Sequence, residues 1–469
     1  MRAVEMSEFG PPQVLVPVEM LDPVAGTGQV VVAVAFASIT FVETQVRAGK
    51  APNPAMMPVL PVVPGNGVGG VVIQVGEGVS PALLGARVVT STGGSGGYAE
   101  RVAVPGAGLI PVPDDLRLDD AVALLADGRT AALLIRAAAV RSGDVVLVEA
   151  AAGGVGSLLI QLARNAGARV VAAAGTPQKL ELARELGADF AVNYREPHWA
   201  DRVRTEVNAV DVVFDGVGGA IGRTAFTLLS PAGRFSAYGM ASGSFANISQ
   251  GDADQRGVAV IRGGPLTPEQ MLELARFALG EAAAGRLRPV IGQRFPLERA
   301  ADAHAAIAAR SVIGKTLLVI TPTPFTPTER DYLATQTLGR LATVQPDGTL
   351  QVSPVGFQYN GGTATIDIRG YTMAASRKFH NVARNGRVAF VVDDIASRQP
   401  WRVRCLEIRG HAEAIDAPSD AVGELDGAII RIHPERIISF GIDDPDHEPH
   451  QLIPNIRNVA EPPAHRGRN

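Results

Sequence analysis

Two stretches of this chain place residue types where they could do chemistry. The first is AAGGVG (151–156), a glycine-rich turn between a buried apolar run and an amphipathic one. In that setting Gly153 and Gly154 let the backbone approach a pyrophosphate, with Val155 between them and Gly156, which lets helix and strand pack closely. The start of the following helix adds free amides and a positive dipole end. The first glycine of the usual fingerprint is Ala151 here. About 20 residues on, an NAD-selective site presents a carboxylate to the ribose hydroxyls. The matching stretch, AAAGTPQK (172–179), has no acid and offers instead Gly175, the Thr176 hydroxyl and the Lys179 cation. That set suits a 2′-phosphate and points to NADP(H).

The second stretch lies far downstream. Arg369 leaves a strand, Ser376 can cap the next helix, and Arg377 and Lys378 occupy its first turn. Guanidinium, ammonium and free amides converging on a helix start make a phosphate or carboxylate site. DDPDHEP (443–449) has metal-ligand residue types but no known ligand spacing, so no metal is assigned to it.

The elements that must position these groups follow from the apolar pattern. Residues 1–110 alternate short β-rich runs with Gly and Pro punctuation, the signature of an irregular barrel or sandwich. From about Leu118 the pattern becomes strand–helix–strand. VVLVEAA (145–151) and RVVAAAG (169–175) read as buried strands, SLLIQLARNAG (157–167) and PQKLELARELG (177–187) as helices, and DVVFDGVGG (211–219) as a further strand. Such alternation implies a parallel sheet with helices on both faces. Residues 286–320 return to strand, helix, strand and are expected to rejoin the first barrel. TPTPFTP (321–327), with three prolines, reads as a stiff connector of roughly 20 Å. Beyond it, strands joined by PDGT and NGG hairpins frame a helix over ASRKFHNVARNG (375–386), and Pro354 marks a bulge or an edge.

At 469 residues the chain has room for two or three domains, and 46% hydrophobic against 19% charged residues excludes wholesale disorder. A net charge of −4 gives no basic field for a nucleic-acid partner. The single cysteine, Cys405, rules out an intramolecular disulfide and a multi-cysteine zinc lobe. No apolar run reaches bilayer length and the first residues lack a signal-peptide core, so a cytoplasmic protein without membrane contact is expected.

Residues 1–320 resemble the medium-chain dehydrogenase/reductases, in their zinc-free quinone oxidoreductase branch. The resemblance rests on PGNGVGGVV (64–72), GGYAERVAVP (96–105), DGRTA (127–131), AAGGVGSLLIQLARNAGA (151–168), LGADFAVNYRE (186–196) and FDGVGG (214–219). It implies a GroES-like barrel with a doubly wound Rossmann domain inserted in it. NADPH contacts would then fall on Gly153–Gly156, Gly175, Thr176, Lys179, Tyr194 and Val217. Zinc-dependent relatives carry a metal-binding Cys and a His-Glu pair, and here the latter position reads Asn66-Gly67. In SITFVETQVRAG (38–49), Thr40 and Glu43 stand where quinone reductases carry Asn and Asp, which marks them as an altered substrate pocket. No general acid or base emerges, so catalysis would rest on placing the nicotinamide against a quinone or enone acceptor.

Residues 325–445 resemble the pyridoxamine-phosphate-oxidase-like split β-barrels (FMN-binding-like), specifically their coenzyme F420-dependent reductases. The matching pieces are LGRLATVQPDGTLQVSPVGF (338–357), ASRKFHNVARNGRVAFVVDD (375–394), PWRVRCLEIRGHAEAI (400–415) and RIHPERIISFGID (431–443). The resemblance implies a homodimer with cofactor between subunits, held by Ser353, Arg369, Ser376, Arg377, Lys378 and Asn381. Trp401 resembles the F420 branch, with FMN as the alternative cofactor.

The expected architecture is therefore α/β plus β. It comprises a GroES-like domain (1–120 and 255–320), an NADP-binding domain (121–254), a linker (321–327), a split barrel (328–458) and a disordered tail (459–469). Three functions fit this plan. One is a two-module oxidoreductase in which the NADPH-using half exchanges hydride with F420. The second is a quinone or enone reductase whose barrel binds FMN or only dimerises, and the third a non-enzymatic ligand sensor.

Overall fold

The computed structural model describes residues 1–262, 264, 266–320, 324–361, 363–416, 427–443 and 447–459. The chain divides into two compact units, Met1–Ile320 and Thr321–Asn469.

The first unit opens with a hairpin of β1 (Arg2–Met6) and β2 (Leu15–Glu19). A barrel-like sheet follows, from β3 (Gln29–Ile39), α1 (Phe41–Arg47), β4 (Gly67–Val75), β5 (Arg87–Ser91), β6 (Arg101–Pro105) and β7 (Ile110–Pro111). The chain then runs through α2 (Leu118–Ala137), β8 (Val145–Glu149), α3 (Gly154–Asn165), β9 (Arg169–Ala174), α4 (Pro177–Glu185), β10 (Phe190–Asn193), α5 (Trp199–Val207) and β11 (Val210–Asp215). It continues with α6 (Gly219–Phe226), β12 (Leu229–Ala237), α7 (Gln250–Arg256), β13 (Ala259–Val260) and α8 (Pro268–Ala283). Finally β14 (Ile291–Pro296), α9 (Ala300–Ala308) and β15 (Lys315–Val319) rejoin the barrel, β15 lying antiparallel to β3.

The inserted sheet is parallel throughout, in the order β10-β9-β8-β11-β12-β13. Its central strands are apolar runs covered on both faces, as parallel sheets require. Strand order reverses between β8 and β11, which opens a crevice at their carboxyl ends. The inserted domain is larger than the expected 121–254. β13 pairs with β12 and α8 packs on α2, so these two elements, expected in the barrel, belong to the nucleotide side. Sequence periodicity does not announce α2, because it is buried between the barrel strands and the helices α3 and α8. Apolar residues therefore surround it instead of forming one stripe. One core runs from Val89 and Ile110 of the barrel through Leu124 and Leu125 of α2 to Val146 and Val148 of β8.

The second unit comprises α10 (Pro327–Thr335), β16 (Leu338–Val344), β17 (Leu350–Gly356), β18 (Gln358–Asn360), β19 (Thr365–Ile368), α11 (Arg377–Asn385), β20 (Arg387–Arg398), β21 (Trp401–Ile415), β22 (Ile429–Phe440) and β23 (Asn455–Asn458). The antiparallel sheet has the order β17-β16-β20-β21-β22-β19-β18, with β23 on β22. Only Phe357 separates β17 from β18, yet they lie at opposite ends of that order, so the sheet curls as a split barrel must. Its core is lined by Ile366, Ile368, Phe390, Leu406, Ile408, Ile430 and Ile432. Pro354 sits on β17, at the edge of the strand order, the kind of position that tolerates a residue without an N–H.

The seven-residue linker needs correction. Phe325 is buried in the second unit and packs edge-on against Tyr359, and the Pro324 carbonyl accepts from Arg457. Thr326 caps α10 in a reciprocal box with Glu329. Residues 324–327 are thus part of that unit, while 321–323 lie outside the described residues, as do 460–469 of the expected tail and 444–446 of the acidic loop.

Candidate functional site

The dinucleotide turn sits where β8 hands over to α3. Gly153 is the N-cap with extended backbone, and a Cβ on Gly156 would overlap the Ala150 carbonyl, so helix and strand approach as the fingerprint demands. Gly154 has a second reason to be glycine, since a Cβ there would overlap the Asp127 carboxylate of α2. Asp127 pairs at 3.0 Å with Lys315, which enters from β15 and is only 4% exposed. The Gly314 amide donates to the Ala152 carbonyl at 2.7 Å. The barrel therefore clasps the turn from two sides, through residues that sequence reasoning missed because they lie on α2 and β15. Val155 is half-buried beside the turn. Val217 is buried, its amide donating to Asp215 Oδ1 at 3.0 Å, so it shapes the loop after β11.

The corner expected to hold a 2′-phosphate gathers more cations than the sequence suggested. Gly175 ends β9 in a buried position, where a Cβ would lie 2.8 Å from Arg195 Nε and 3.2 Å from the Tyr194 ring. The Lys179 ammonium donates to the Arg310 carbonyl at 3.2 Å. Burial first, and then the charges of Arg195 and Arg310, lower the pKa of Lys179. Among the described residues no carboxylate pairs with Lys179, Arg195 or Arg310. Lys179 thus lies within the electrostatic reach of Arg195 and Arg310, with Arg195 beside Gly175, an arrangement suited to an anion. Arg195 and Arg310 escaped sequence reasoning, since they come from the loop after β10 and the turn after α9. Thr176 caps α4, its hydroxyl accepting from the Lys179 amide at 3.4 Å.

Thr40 and Glu43, read as an altered substrate pocket, are committed to one another. The Thr40 amide and hydroxyl donate to Glu43 Oε2 at 2.6 and 2.8 Å, and the Glu43 amide returns a bond to Thr40 Oγ1. This is a capping box at the start of α1. Glu43 Oε1 also accepts from the Asn66 amide at 2.9 Å, and Asn66 Oδ1 from Ser91 at 2.7 Å. Burial raises the Glu43 carboxyl, opposed by its Thr40 hydrogen bonds and the Lys315 charge. The pair secures α1 to the neighbouring loops. Asn66, at the position where zinc relatives carry histidine, is likewise engaged by Glu43 and Ser91. Among the described residues no three of His, Cys, Asp and Glu are grouped to hold a metal, and no helix is long and apolar enough to cross a membrane.

In the second unit, Ser376 caps α11, accepting from the Phe379 amide at 3.4 Å and donating to the Met373 carbonyl at 2.7 Å. Arg377 and Arg369 are exposed and Lys378 half-buried. None of these cations pairs with a carboxylate among the described residues. Asn381 is buried and donates to Thr343 Oγ1 at 3.0 Å and Gln351 Oε1 at 3.1 Å, and Gln351 donates to Ser353 Oγ at 3.3 Å. Asn381 and Ser353 thus meet through Thr343 and Gln351, which sequence spacing could not reveal. Trp401 does not join them within one chain. Its partner Arg398 lies ten register positions along β20 from Val388, which pairs with Thr343, a span of roughly 30 Å. A cleft of about 360 Å³ lies at the carboxyl end of α11, between Val382–Gly386 and His411–Ala414, away from the Ser376 cap.

The chain matches three family models: Alcohol dehydrogenase GroES-like domain over residues 26–114, Zinc-binding dehydrogenase over 154–278, and Pyridoxamine 5′-phosphate oxidase over 325–439. The 2-haloacrylate reductase of a Burkholderia species is 35% identical over 305 residues, covering 63% of this chain and 91% of its own. The quinone oxidoreductase of Sus scrofa is 33% identical over 328 residues, covering 68% and 98%. The structure of Escherichia coli quinone oxidoreductase with NADPH matches at a TM-score of 0.63 and 28% identity, covering 68% of this chain and all (100%) of that one. A mycobacterial protein solved with NADPH matches at 0.62 and 32%, with the same coverage. The chain belongs to the medium-chain dehydrogenase/reductase family, in its quinone oxidoreductase branch, with a pyridoxamine-phosphate-oxidase-like split barrel fused behind it.

Proposed function

We propose that this protein is an NADPH-dependent two-electron reductase of quinone or enone acceptors, whose split-barrel unit binds coenzyme F420. In this reading hydride passes between NADPH and F420, or from NADPH to the organic acceptor. The observation that carries the nucleotide choice is the Lys179–Arg195–Arg310 trio around Gly175, unopposed by any described carboxylate. When bound, NADPH supplies a hydride from its nicotinamide ring. The chain's own part is positional. The trio would hold the 2′-phosphate and the Gly153–Gly156 turn the pyrophosphate, while the Asp127–Lys315 pair keeps the barrel wall against that turn. This division of labour needs no metal and no dedicated acid or base at the acceptor.

In the second unit, Ser376, Arg377 and Lys378, with Arg369 nearby, would hold the anionic tail of F420. FMN has the same need for an anion clamp. In a homodimer with cofactor between subunits, a second copy would cover the exposed Leu338, Leu350 and Val352 on β16 and β17 and could bring a partner tryptophan to the cofactor.

One set of measurements tests this reading. Full-length protein mixed with NADPH and F420 is expected to bleach the oxidised deazaflavin absorbance, and more slowly when Arg377 and Lys378 are both Ala. No bleaching, together with a bound flavin spectrum in the purified protein, would replace F420 by FMN. Faster turnover of a quinone with NADH than with NADPH would remove the nucleotide assignment. Light scattering reads the dimer.

A further inference from the structure

The carboxyl ends of β8 and β11 flank the crevice where the strand order reverses, and each strand ends on an acid, Glu149 and Asp215. Both are 0% exposed. The strands pair in register up to Val148 and Phe214, so the two acids are the next positions of one parallel ladder, and the Asp215 side chain stands within hydrogen-bond range of Glu149. Three of their four carboxyl oxygens, Glu149 Oε1 and Oε2 and Asp215 Oδ2, are buried without a hydrogen-bond partner. The fourth, Asp215 Oδ1, accepts from the amides of Val217 at 3.0 Å and Gly218 at 2.6 Å.

Two carboxylates cannot both stay ionised in contact at such depth without donors. A single proton resolves the arrangement. The two amides stabilise the charge on Asp215, so Glu149 is the member that keeps its proton and donates it to Asp215 Oδ2. The Val217 amide also acts on Glu149 and favours its charge, but burial and the facing Asp215 outweigh it. Tyr238, after β12, donates its hydroxyl to the Glu149 main-chain carbonyl at 3.0 Å. Tyr194 stands on the β10 side, with Arg195 and Arg310 acting on it, and Asp127 approaches from α2 already paired to Lys315. Burial and the neighbouring Asp215 both push the Glu149 carboxyl well above its ordinary range.

We propose that Glu149 and Asp215 share one proton beneath the dinucleotide crevice, and that nucleotide binding requires this proton. The proposal rests on the NADPH reading above. Releasing the proton would set a second negative charge at the mouth of the crevice, four residues before the turn assigned to the pyrophosphate. One linked proton lowers affinity by up to tenfold for each pH unit above the pair's ionisation.

The test uses the full chain and two readouts. Infrared difference spectra of the nucleotide-free protein at neutral pH should contain a protonated carboxyl band that disappears in Glu149→Gln, whose amide donates the same hydrogen bond with nothing to lose. NADPH dissociation constants, measured across about pH 6 to 10, should rise with pH in the wild type and stay level in Glu149→Gln. Asp215→Asn, which offers Glu149 a donor in place of a charge, should flatten the profile too and serves if the first variant folds poorly. Coincident profiles for wild type and both variants, or a carboxyl band that survives both, would overturn the proposal. No NADPH binding at any pH, with the band present, would instead overturn the nucleotide reading and leave the shared proton standing.

Discussion

The two anion sites proposed for this protein are built in opposite ways. In the second unit, Ser376, Arg377 and Lys378 are consecutive, and the helix start that presents them is set by the Ser376 cap itself. In the first unit, Lys179, Arg195 and Arg310 come from a helix, a loop and a distant turn, and converge only because β9, β10 and α9 meet there. A contiguous cluster can be read from spacing, and where it is exposed, as at Arg377, its charge is screened by water. A convergent cluster is invisible to spacing. Arg195 and Arg310 are exposed and Lys179 is half-buried, so this site depends on the three cations acting together.

The sharpest way to break this contrast is the double variant Lys179→Ala with Arg310→Ala. Losing the Lys179 contact, worth about 1.5–3 kcal/mol, and that of the exposed Arg310, worth up to about 1 kcal/mol, should cut NADPH over NADH preference by about tenfold to several hundredfold. Lys179→Ala alone should cost less, and steady-state kinetics with both nucleotides decide it. If the single and double variants match, Arg310 is a bystander and the convergent site reduces to what the sequence displayed. For the contiguous site, Arg377→Ala with Lys378→Ala should weaken F420 binding by about 1–3 kcal/mol in total, since Arg377 is exposed. Fluorescence titration of F420 measures this, and unchanged affinity would make the two cations a solvated helix face.

Gly154→Ala probes the clasp around the turn. The added methyl meets the Asp127 carboxylate, and overpacking of this kind costs about 1–3 kcal/mol. A lowered urea midpoint is expected, with NADPH affinity falling alongside. Glu149 gives a smaller, pH-dependent effect. Its carboxyl is raised by burial, so the folded chain holds a proton that the unfolded chain has released above the ordinary carboxylate range. Stability then falls as pH rises toward the raised value, by at most about 1.4 kcal/mol per unit, and levels off above it. Glu149→Gln should remove that slope from urea titrations across pH. The smallest expected effect is none at all: chelator treatment should leave NADPH-dependent quinone reduction unchanged, and activity lost to chelation and restored by zinc would reopen the metal question at Asn66.

Much of the architecture could be read without coordinates wherever the physical cause was local. Apolar runs announced β8, β9 and β11, Pro177 announced the start of α4, and the hairpin glycine announced the β16–β17 turn, because strand burial, helix starts and turn conformation each depend on a few adjacent residues. Reading failed where the cause was distant. α2 carries no clean apolar stripe because two layers cover it, and β13 and α8 joined the nucleotide side through pairing with β12 and packing on α2, which no spacing encodes. Thr40 and Glu43, three residues apart, also cap α1 through their reciprocal bonds.

By itself, then, the sequence determined the family, the order of the two modules, the Gly153–Gly156 turn and the Ser376–Lys378 helix start, because each is written in neighbouring residues. Only the tertiary structure decided that Arg195 and Arg310 join Lys179, that Lys315 reaches Asp127 beneath Gly154, and that Glu149 meets Asp215 in the crevice. Those meetings link strands and helices far apart in the chain, and packing the core is what brings them together.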